Sequence, residues 1–283
     1  MDIIKDRRGR GIDISIYGAA GGPVALTPAG LEAALRVKHA LPGKPVLWAR
    51  AFEKILGLAP VKMGLRLWNG KKIFFLVPDD TGNFISTIDD IILRDQYNAG
   101  VLRGRTLVDA GANIGVFSLY AYALGAKKIY AFEPVRETFE ILRQNLALNR
   151  AGCKIEAVNI ALGEKAGSAE IMYQTRGEGS AMIPCGGEVN RGVTYSGRRK
   201  VRIAPLDALI KGKIGFIKMD VEGYEKKVLL GAAGIIKKYK PVLSLSAYHR
   251  KNDKKELPRT VLRIRGDYKI SLNTFAEHDF YCE

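Results

Sequence analysis

Cysteine is scarce in this chain. The three residues, Cys153, Cys185 and Cys282, are odd in number and far apart, which argues against a disulfide framework or a cysteine-based zinc site and predicts a reducing, cytoplasmic setting. No apolar run reaches the length of about 18 residues that a membrane-spanning helix needs. The first residues, MDIIKDRRGRGIDIS, are charged and lack the apolar stretch of a secretory leader, so none is expected. The G-K-[ST] ending of a P-loop is missing, and no repeat or low-complexity tract is visible. What remains is an ordinary globular composition, 47% hydrophobic and 26% charged over 283 residues, with room for one large α/β domain and a small appendage.

Acidic residues are also in deficit. Lys and Arg number 45 against 29 Asp and Glu, a net charge of +16, and the stretch 198–269 alone holds 20 against 7, a surplus of 13. A field of that sign favours an anionic partner, whether nucleic acid, a phosphorylated or nucleotide-linked sugar, or an acidic membrane surface. The plain alternative is a solvated lysine-rich face.

Thr27 and Pro28 form a cap and first-turn pair that opens a predicted helix over 27–41, stopped by Pro42, Gly43 and Pro45. A second amphipathic helix is predicted over 46–58. These helices are expected to cap the core, with pairing to a second copy of the chain or contact with lipid as alternatives. Asn69-Gly70 between two apolar runs signals a β-hairpin, and a helix is predicted over 86–97. Strands then alternate with helices: strands over 106–110, 128–133, 155–160, 214–220 and 242–248, and helices over 114–124, 136–149, 224–239 and 256–265. Short pieces are predicted at 170–173 and 206–210, and an antiparallel pair at 268–272 and 279–282 closes the chain. This order predicts an α/β fold with a mostly parallel sheet covered by helices on both faces. The Gly-rich polar stretch 174–200 reads as a loop. The expected division is an extension of helices and hairpin over 1–100 and an α/β domain over 101–283.

Chemistry concentrates at predicted strand ends. In LVDAGANIGVFS an apolar strand ends in Asp109, Gly111 permits a tight turn, Asn113 follows, and Gly115 opens a helix whose N–H groups face a bound molecule. The third glycine of G-x-G-x-x-G is absent, which disfavours a dinucleotide pyrophosphate. Eighteen residues after Gly115 the next strand ends in Glu133, placed to hold a ribose diol with its carboxylate. Together these features fit a nucleoside-bearing cofactor without a pyrophosphate. In FIKMDVEGYEKK a later strand delivers Asp220, with Glu222 two residues on, to the same edge. These carboxylates are candidates for orienting a cation, acting as bases or binding a hard divalent metal; no metal is predicted outright. The following strand ends in AYH and brings His249 alongside as a candidate base.

VDAGANIGVFS, YAFEP, IKMDVEGYEKKVLLGA and YHRKNDKKELP together resemble the FkbM-type methyltransferases, a branch of the class I S-adenosylmethionine-dependent enzymes, from about residue 88 onward. The resemblance implies a Rossmann-like fold whose seven-stranded, mostly parallel sheet has an antiparallel last strand. It implies S-adenosylmethionine as cofactor, with Asp109, Gly111, Asn113 and Gly115 around its methionine and ribose, Glu133 on the ribose hydroxyls, and Asn159 and Ala161 beside the adenine. Asp220 joins that set at the same edge. It also implies O-methylation of a sugar, glycan, lipid or other small molecule. The placement at the strand ends makes His249 the first choice of base, with Asp220 and Glu222 as alternatives or as ligands of a divalent ion. The stretch 177–187, around Ser180 and Met182, is expected to close over the acceptor. An RNA or protein methyltransferase, and a non-catalytic cofactor-binding module, stay open as alternatives. Pro184-Cys185 is similar to the Pro-Cys of cytosine-modifying enzymes but falls in the wrong loop for that role.

Overall fold

This computed structural model describes residues 4–17, 23–24, 62–76, 81–173, 181–184, 195, 197–274 and 278–283. The predicted helices over 27–41 and 46–58 lie outside them, as do most of 174–196. The described chain opens with β1 (Ile4–Lys5), β2 (Gly11–Tyr17), β3 (Pro23–Val24), β4 (Lys62–Arg66) and β5 (Lys72–Leu76). The hairpin at Asn69-Gly70 forms, with Gly70 at φ +77°, and it belongs to a five-stranded antiparallel sheet in which β4 also pairs with β2. Helix α1 (Thr81–Ile88) runs into a π-helical turn, Asp89–Leu93. The helix expected over 86–97 therefore starts and ends earlier. It ends because Asp95 turns left-handed (φ +55°), and its carboxylate accepts the Ala99 N–H at 2.6 Å and pairs with Arg8 at 2.6 Å.

Next come β6 (Thr106–Ala110), α2 (Val116–Ala123), β7 (Lys128–Phe132), α3 (Arg136–Leu148), β8 (Ile155–Val158), β9 (Ala161–Leu162), β10 (Gly167–Tyr173), β11 (Ala181–Met182) and β12 (Gly197–Ala204). The chain ends with α4 (Leu206–Leu209), β13 (Phe216–Met219), α5 (Glu225–Gly231), α6 (Ala233–Tyr239), β14 (Val242–Ser246), α7 (Asp253–Ile264), β15 (Ile270–Asn273) and β16 (Asp279–Cys282). Seven strands make the central sheet in the order β15-β16-β14-β13-β6-β7-β8, and β16 runs antiparallel to both neighbours while the rest are parallel. Successive residues of each inner strand enter opposite cores, so these strands read as unbroken apolar runs. Leu107 and Phe216 pack with α2 and α3, whereas Val108 and Ile217 pack with α5, α6 and α7.

Met63, Leu65, Ile73 and Phe75 of the N-terminal sheet share the first of these cores. Strand β5 docks there through Asn145 of α3 and Asn149, which caps that helix's C-terminus. The Phe74 N–H donates to Asn149 Oδ1 at 2.8 Å and the Leu76 N–H to Asn145 Oδ1 at 2.6 Å, while Asn145 Nδ2 donates to the Ile114 carbonyl at 2.9 Å. Side-chain amides thus satisfy a strand edge that would otherwise be open. Asn145→Ala is expected to strand one buried donor and one acceptor and to cost about 1–3 kcal/mol in chemical denaturation.

Two expectations are corrected. The helix expected over 224–239 is two helices meeting at Ala232, because Asp207 reaches across to cap the N–H groups of Gly234 (2.7 Å) and Ile235 (2.9 Å). The stretch 174–200 is not all loop. Gly197–Ala204 is a strand paired with all of β10, and Met182 sits buried on β10's other side in β11. Val201 and Ile203 point inward while Arg198, Lys200 and Arg202 point out, an alternation that the run of cations hides.

Candidate active site

The turn after β6 follows from its backbone. Gly111, Asn113 and Gly115 all have positive φ, at +76°, +50° and +95°. A Cβ on Gly111 would lie 1.9 Å from the Asp220 carbonyl oxygen, and one on Gly115 would lie 2.6 Å from Leu142 Cδ1. These glycines therefore let the turn close against the end of β13 and against α3. The close approach they permit is to the protein's own neighbours, where the pattern suggested an approach to ligand.

Beneath the turn, Asp109 is fully buried, with Oδ1 3.1 Å from Lys218 Nζ and Oδ2 accepting from Ser118 Oγ at 2.7 Å. Lys218 lies opposite Asp109 in the β6–β13 register and also donates to the Gly111 carbonyl at 2.6 Å. Burial pushes the Asp109 carboxyl up, against the pull of Lys218. For Lys218 burial acts downward, but the charges of Asp109 and Asp220 outweigh it and raise the ammonium above its ordinary value. The carboxylate expected beside cofactor is thus engaged with internal partners, and it acts by holding the turn.

Glu133 follows β7, and its two oxygens accept the N–H groups of Asn113 and Val135, both at 2.9 Å. Burial pushes its carboxyl up to about 7, although those two amides favour the ionised form. A carboxylate has about four acceptor positions, so capacity for a vicinal diol remains after two amides are satisfied. Asn159 donates to the carbonyls of Glu133 (2.8 Å) and Pro134 (3.0 Å), bracing the segment that carries the acid. Ala161 lies in β9, and its methyl is buried with Val135, Ile171, Val201 and Ile203 in the small sheet's core.

At the ends of β13 and β14 four titratable groups converge. Asp220 Oδ2 accepts from Tyr97 Oη at 3.1 Å, and its Oδ1 lies 3.6 Å from His249 Nε2. Glu222 holds a left-handed backbone (φ +54°), rare outside glycine, and brings Oε2 to 3.4 Å from the same nitrogen. Glu225, buried at the start of α5, accepts the N–H groups of Val221 (3.0 Å) and Gly223 (3.3 Å), and its Oε1 lies 3.1 Å from His249 Nδ1. Burial works against a charged imidazole here, but Glu225 first, then Glu222 and Asp220, overcome it and push His249 up to about 10. Three carboxylates therefore favour the charged imidazole over the neutral base at neutral pH.

The profile of the methyltransferase FkbM domain matches residues 109–279, spanning the turn, Glu133 and this cluster. The chain belongs to the FkbM methyltransferase family. It is 44% identical over 68 residues to methyltransferase sdnD of Sordaria araneosa, covering 24% of this chain and 26% of that protein. Against ribosomal protein L11 methyltransferase of Sorangium cellulosum (strain So ce56) it is 32% identical over 91 residues, 31% of this chain and 28% of the relative. The chain thus spans little more than a quarter of the length of these curated relatives. A crystal structure of methyltransferase FkbM from Methylobacillus flagellatus KT superposes with a TM-score of 0.51 at 20% identity, over 90% of this chain and 59% of that one, and shares its fold.

Within the FkbM domain, Asp220, Glu222 and His249 do come together as their strand order required. Three further residues shape the site: Lys218, Glu225 and Tyr97. Lys218 is a cation inside a four-residue strand whose residues are all buried, a signal that was readable in FIKM. Glu225 reads as one more charge on a helix face in EGYEKK, and nothing local marks it as buried. Tyr97 lies 123 residues before Asp220, and no sequence pattern connects them.

Proposed function

We propose that this FkbM domain transfers a methyl group from S-adenosylmethionine to a hydroxyl of a sugar, glycan, lipid or other small molecule. The observation that carries the reading is the convergence, along one sheet edge, of the turn at Gly111–Gly115, the Glu133 carboxylate and the cluster of Asp220, Glu222 and His249. S-adenosylmethionine, when bound, supplies an electrophilic methyl on a positively charged sulfur.

Glu133 would accept hydrogen bonds from the ribose hydroxyls, with Asn113 and Val135 holding it in place. Asp220, fixed by Tyr97, and Glu222 lie at the rim with His249 and would receive the acceptor's hydroxyl proton, while the His249 imidazolium offsets their charge. Orientation of acceptor against cofactor would supply much of the rate. The outward row Arg198, Lys200 and Arg202 on β12 supports an anionic acceptor. Among the described residues no helix is long and apolar enough to cross a membrane.

Incubation with labelled S-adenosylmethionine and separate lipid, glycan, protein and RNA fractions tests the reading. Label is expected in glycan or lipid, and label in RNA or protein would replace the substrate class. Glu133→Ala is expected to weaken cofactor binding by about 1.5–3 kcal/mol, roughly 10–100-fold, in calorimetry. Hydroxyl donors require the ionised carboxylate, so affinity should rise with pH through about 7. Below that it should fall toward about tenfold per pH unit, and Glu133→Gln should flatten the profile. Unchanged affinity in the alanine variant would remove Glu133 from the site.

A further inference from the structure

Ligand-type atoms are dense around a single buried nitrogen, His249 Nε2. Asp220, Glu225 and His249 each bring an atom able to bind a metal within 4.8 Å of the other two, and Glu222 adds an oxygen 3.4 Å from His249 Nε2. The groups come from three places in the chain, the end of β13, the start of α5 and the end of β14, so the backbone and not one flexible loop sets their spacing.

An acidic cluster alone is not a site. The deciding observation is His249 itself: its side chain is 3% exposed, its Nε2 has no hydrogen-bond partner, and that nitrogen lies among the Asp220 and Glu222 oxygens at 3.6 and 3.4 Å. Its other nitrogen, Nδ1, is held by Glu225 Oε1 at 3.1 Å. A carboxylate on one ring nitrogen with the other directed at oxygen ligands is the arrangement that orients metal-binding histidines and raises their basicity. Glu225 fits that orienting role better than direct ligation, because Oε1 already receives the N–H groups of Val221 and Gly223 as well as the imidazole. Bonds of about 2.1 Å from one ion to Nε2 and to an oxygen some 3.5 Å from it would open an angle near 110°, inside the range that divalent ions accept.

We propose that His249 Nε2, Asp220 and Glu222 bind one divalent first-row transition-metal ion that takes the place of the Nε2 proton, with Glu225 orienting the histidine. One imidazole and two carboxylates suit Mn²⁺ and its neighbours better than Ca²⁺, which takes oxygen ligands. The inference rests on the methyltransferase reading only for the ion's role. At the rim the ion would take the acceptor hydroxyl as a further ligand and ease loss of its proton, making a better nucleophile at neutral pH.

The test measures binding without turnover. The purified chain, stripped with EDTA and dialysed, is titrated with MnCl₂ while the electron paramagnetic resonance signal of free Mn²⁺ is followed. One Mn²⁺ per chain is expected. Asp220→Asn and His249→Gln should each weaken binding at least tenfold, Glu225→Gln about 10–100-fold, and the surface change Asp267→Asn not at all. Circular dichroism confirms that each variant is folded, and Asp220→Asn, the mildest change, serves if the buried variants do not fold. Absence of saturable binding, or binding unchanged in the folded Asp220→Asn variant, overturns the site. Methyl transfer that persists in EDTA overturns the ion's role in proton loss and leaves the methyltransferase reading standing. Stoichiometric Mn²⁺ with no label in any fraction does the reverse.

Discussion

Replacing His249 by alanine is expected to lower methyl transfer by about 10²–10⁴-fold, because Asp220 and Glu222, the proton-accepting pair, lose the cation that holds them in place. Cofactor affinity should stay within a few-fold, because Glu133 is held by the N–H groups of Asn113 and Val135 and not by His249. The histidine sits where the ends of β13 and β14 meet. Glu225 anchors one ring nitrogen, and the other lies among the two rim carboxylates. Removing the ring leaves Asp220, Glu222 and Glu225 facing one another without the cation that separates them. Single-turnover rates with labelled cofactor check the effect, and calorimetry checks the affinity. Glu225→Gln separates positioning from packing: it keeps an oxygen for the Val221 and Gly223 N–H groups but weakens the hold on the imidazole. A merely structural role for Glu225 predicts an unchanged rate, whereas a positioning role predicts a loss in kcat with little change in KM. Full turnover in His249→Ala would remove the histidine from catalysis and leave orientation of the acceptor to carry the rate.

Lys218→Met is expected to destabilise the chain by about 3–5 kcal/mol in denaturant unfolding, as breaking one side of a buried ion pair does. Methionine matches the volume of the lysine stem, so most of the loss would come from the Asp109 carboxylate left without its cation in a fully buried position and from the Gly111 carbonyl left without a donor. The second variant, Lys218→Met with Asp109→Asn, should recover part of the loss, since the amide is neutral and Ser118 can still serve it. A double-mutant cycle gives the coupling directly. Because Lys218 ties β13 to the turn that follows β6, the single variant should also weaken cofactor binding. A loss of stability below about 1 kcal/mol would mean that the pair is solvated and does not organise the turn.

The alternation of apolar strands and amphipathic helices from Thr106 onward was legible because each strand of a parallel sheet is buried on both faces and so carries an unbroken apolar run. The same regularity located the site. Strands of such a sheet end at one edge, so Glu133, Asp220 and His249, each the first acidic or basic side chain after a strand, had to arrive there together. The glycines of the turn were legible as glycines, but their reason was not: only the packed structure shows the Asp220 carbonyl and Leu142 standing where side chains would be. Strand β12 is hidden in the sequence because three of its outward positions are cations, which give a loop-like composition to a segment whose inward positions are Val201 and Ile203.

Local sequence therefore determined the order of elements and the edge at which chemistry would gather, since periodicity and turn residues act over a few positions. Tertiary structure alone decided which charges are buried and what they face. Lys218 and Asp109 are 109 residues apart, Tyr97 and Asp220 are 123, and Glu225 meets His249 across 24 residues that include two helices and a strand. A charge in a sequence carries no mark of its burial; its ionisation and its role follow from partners that only chain packing brings within 3–4 Å.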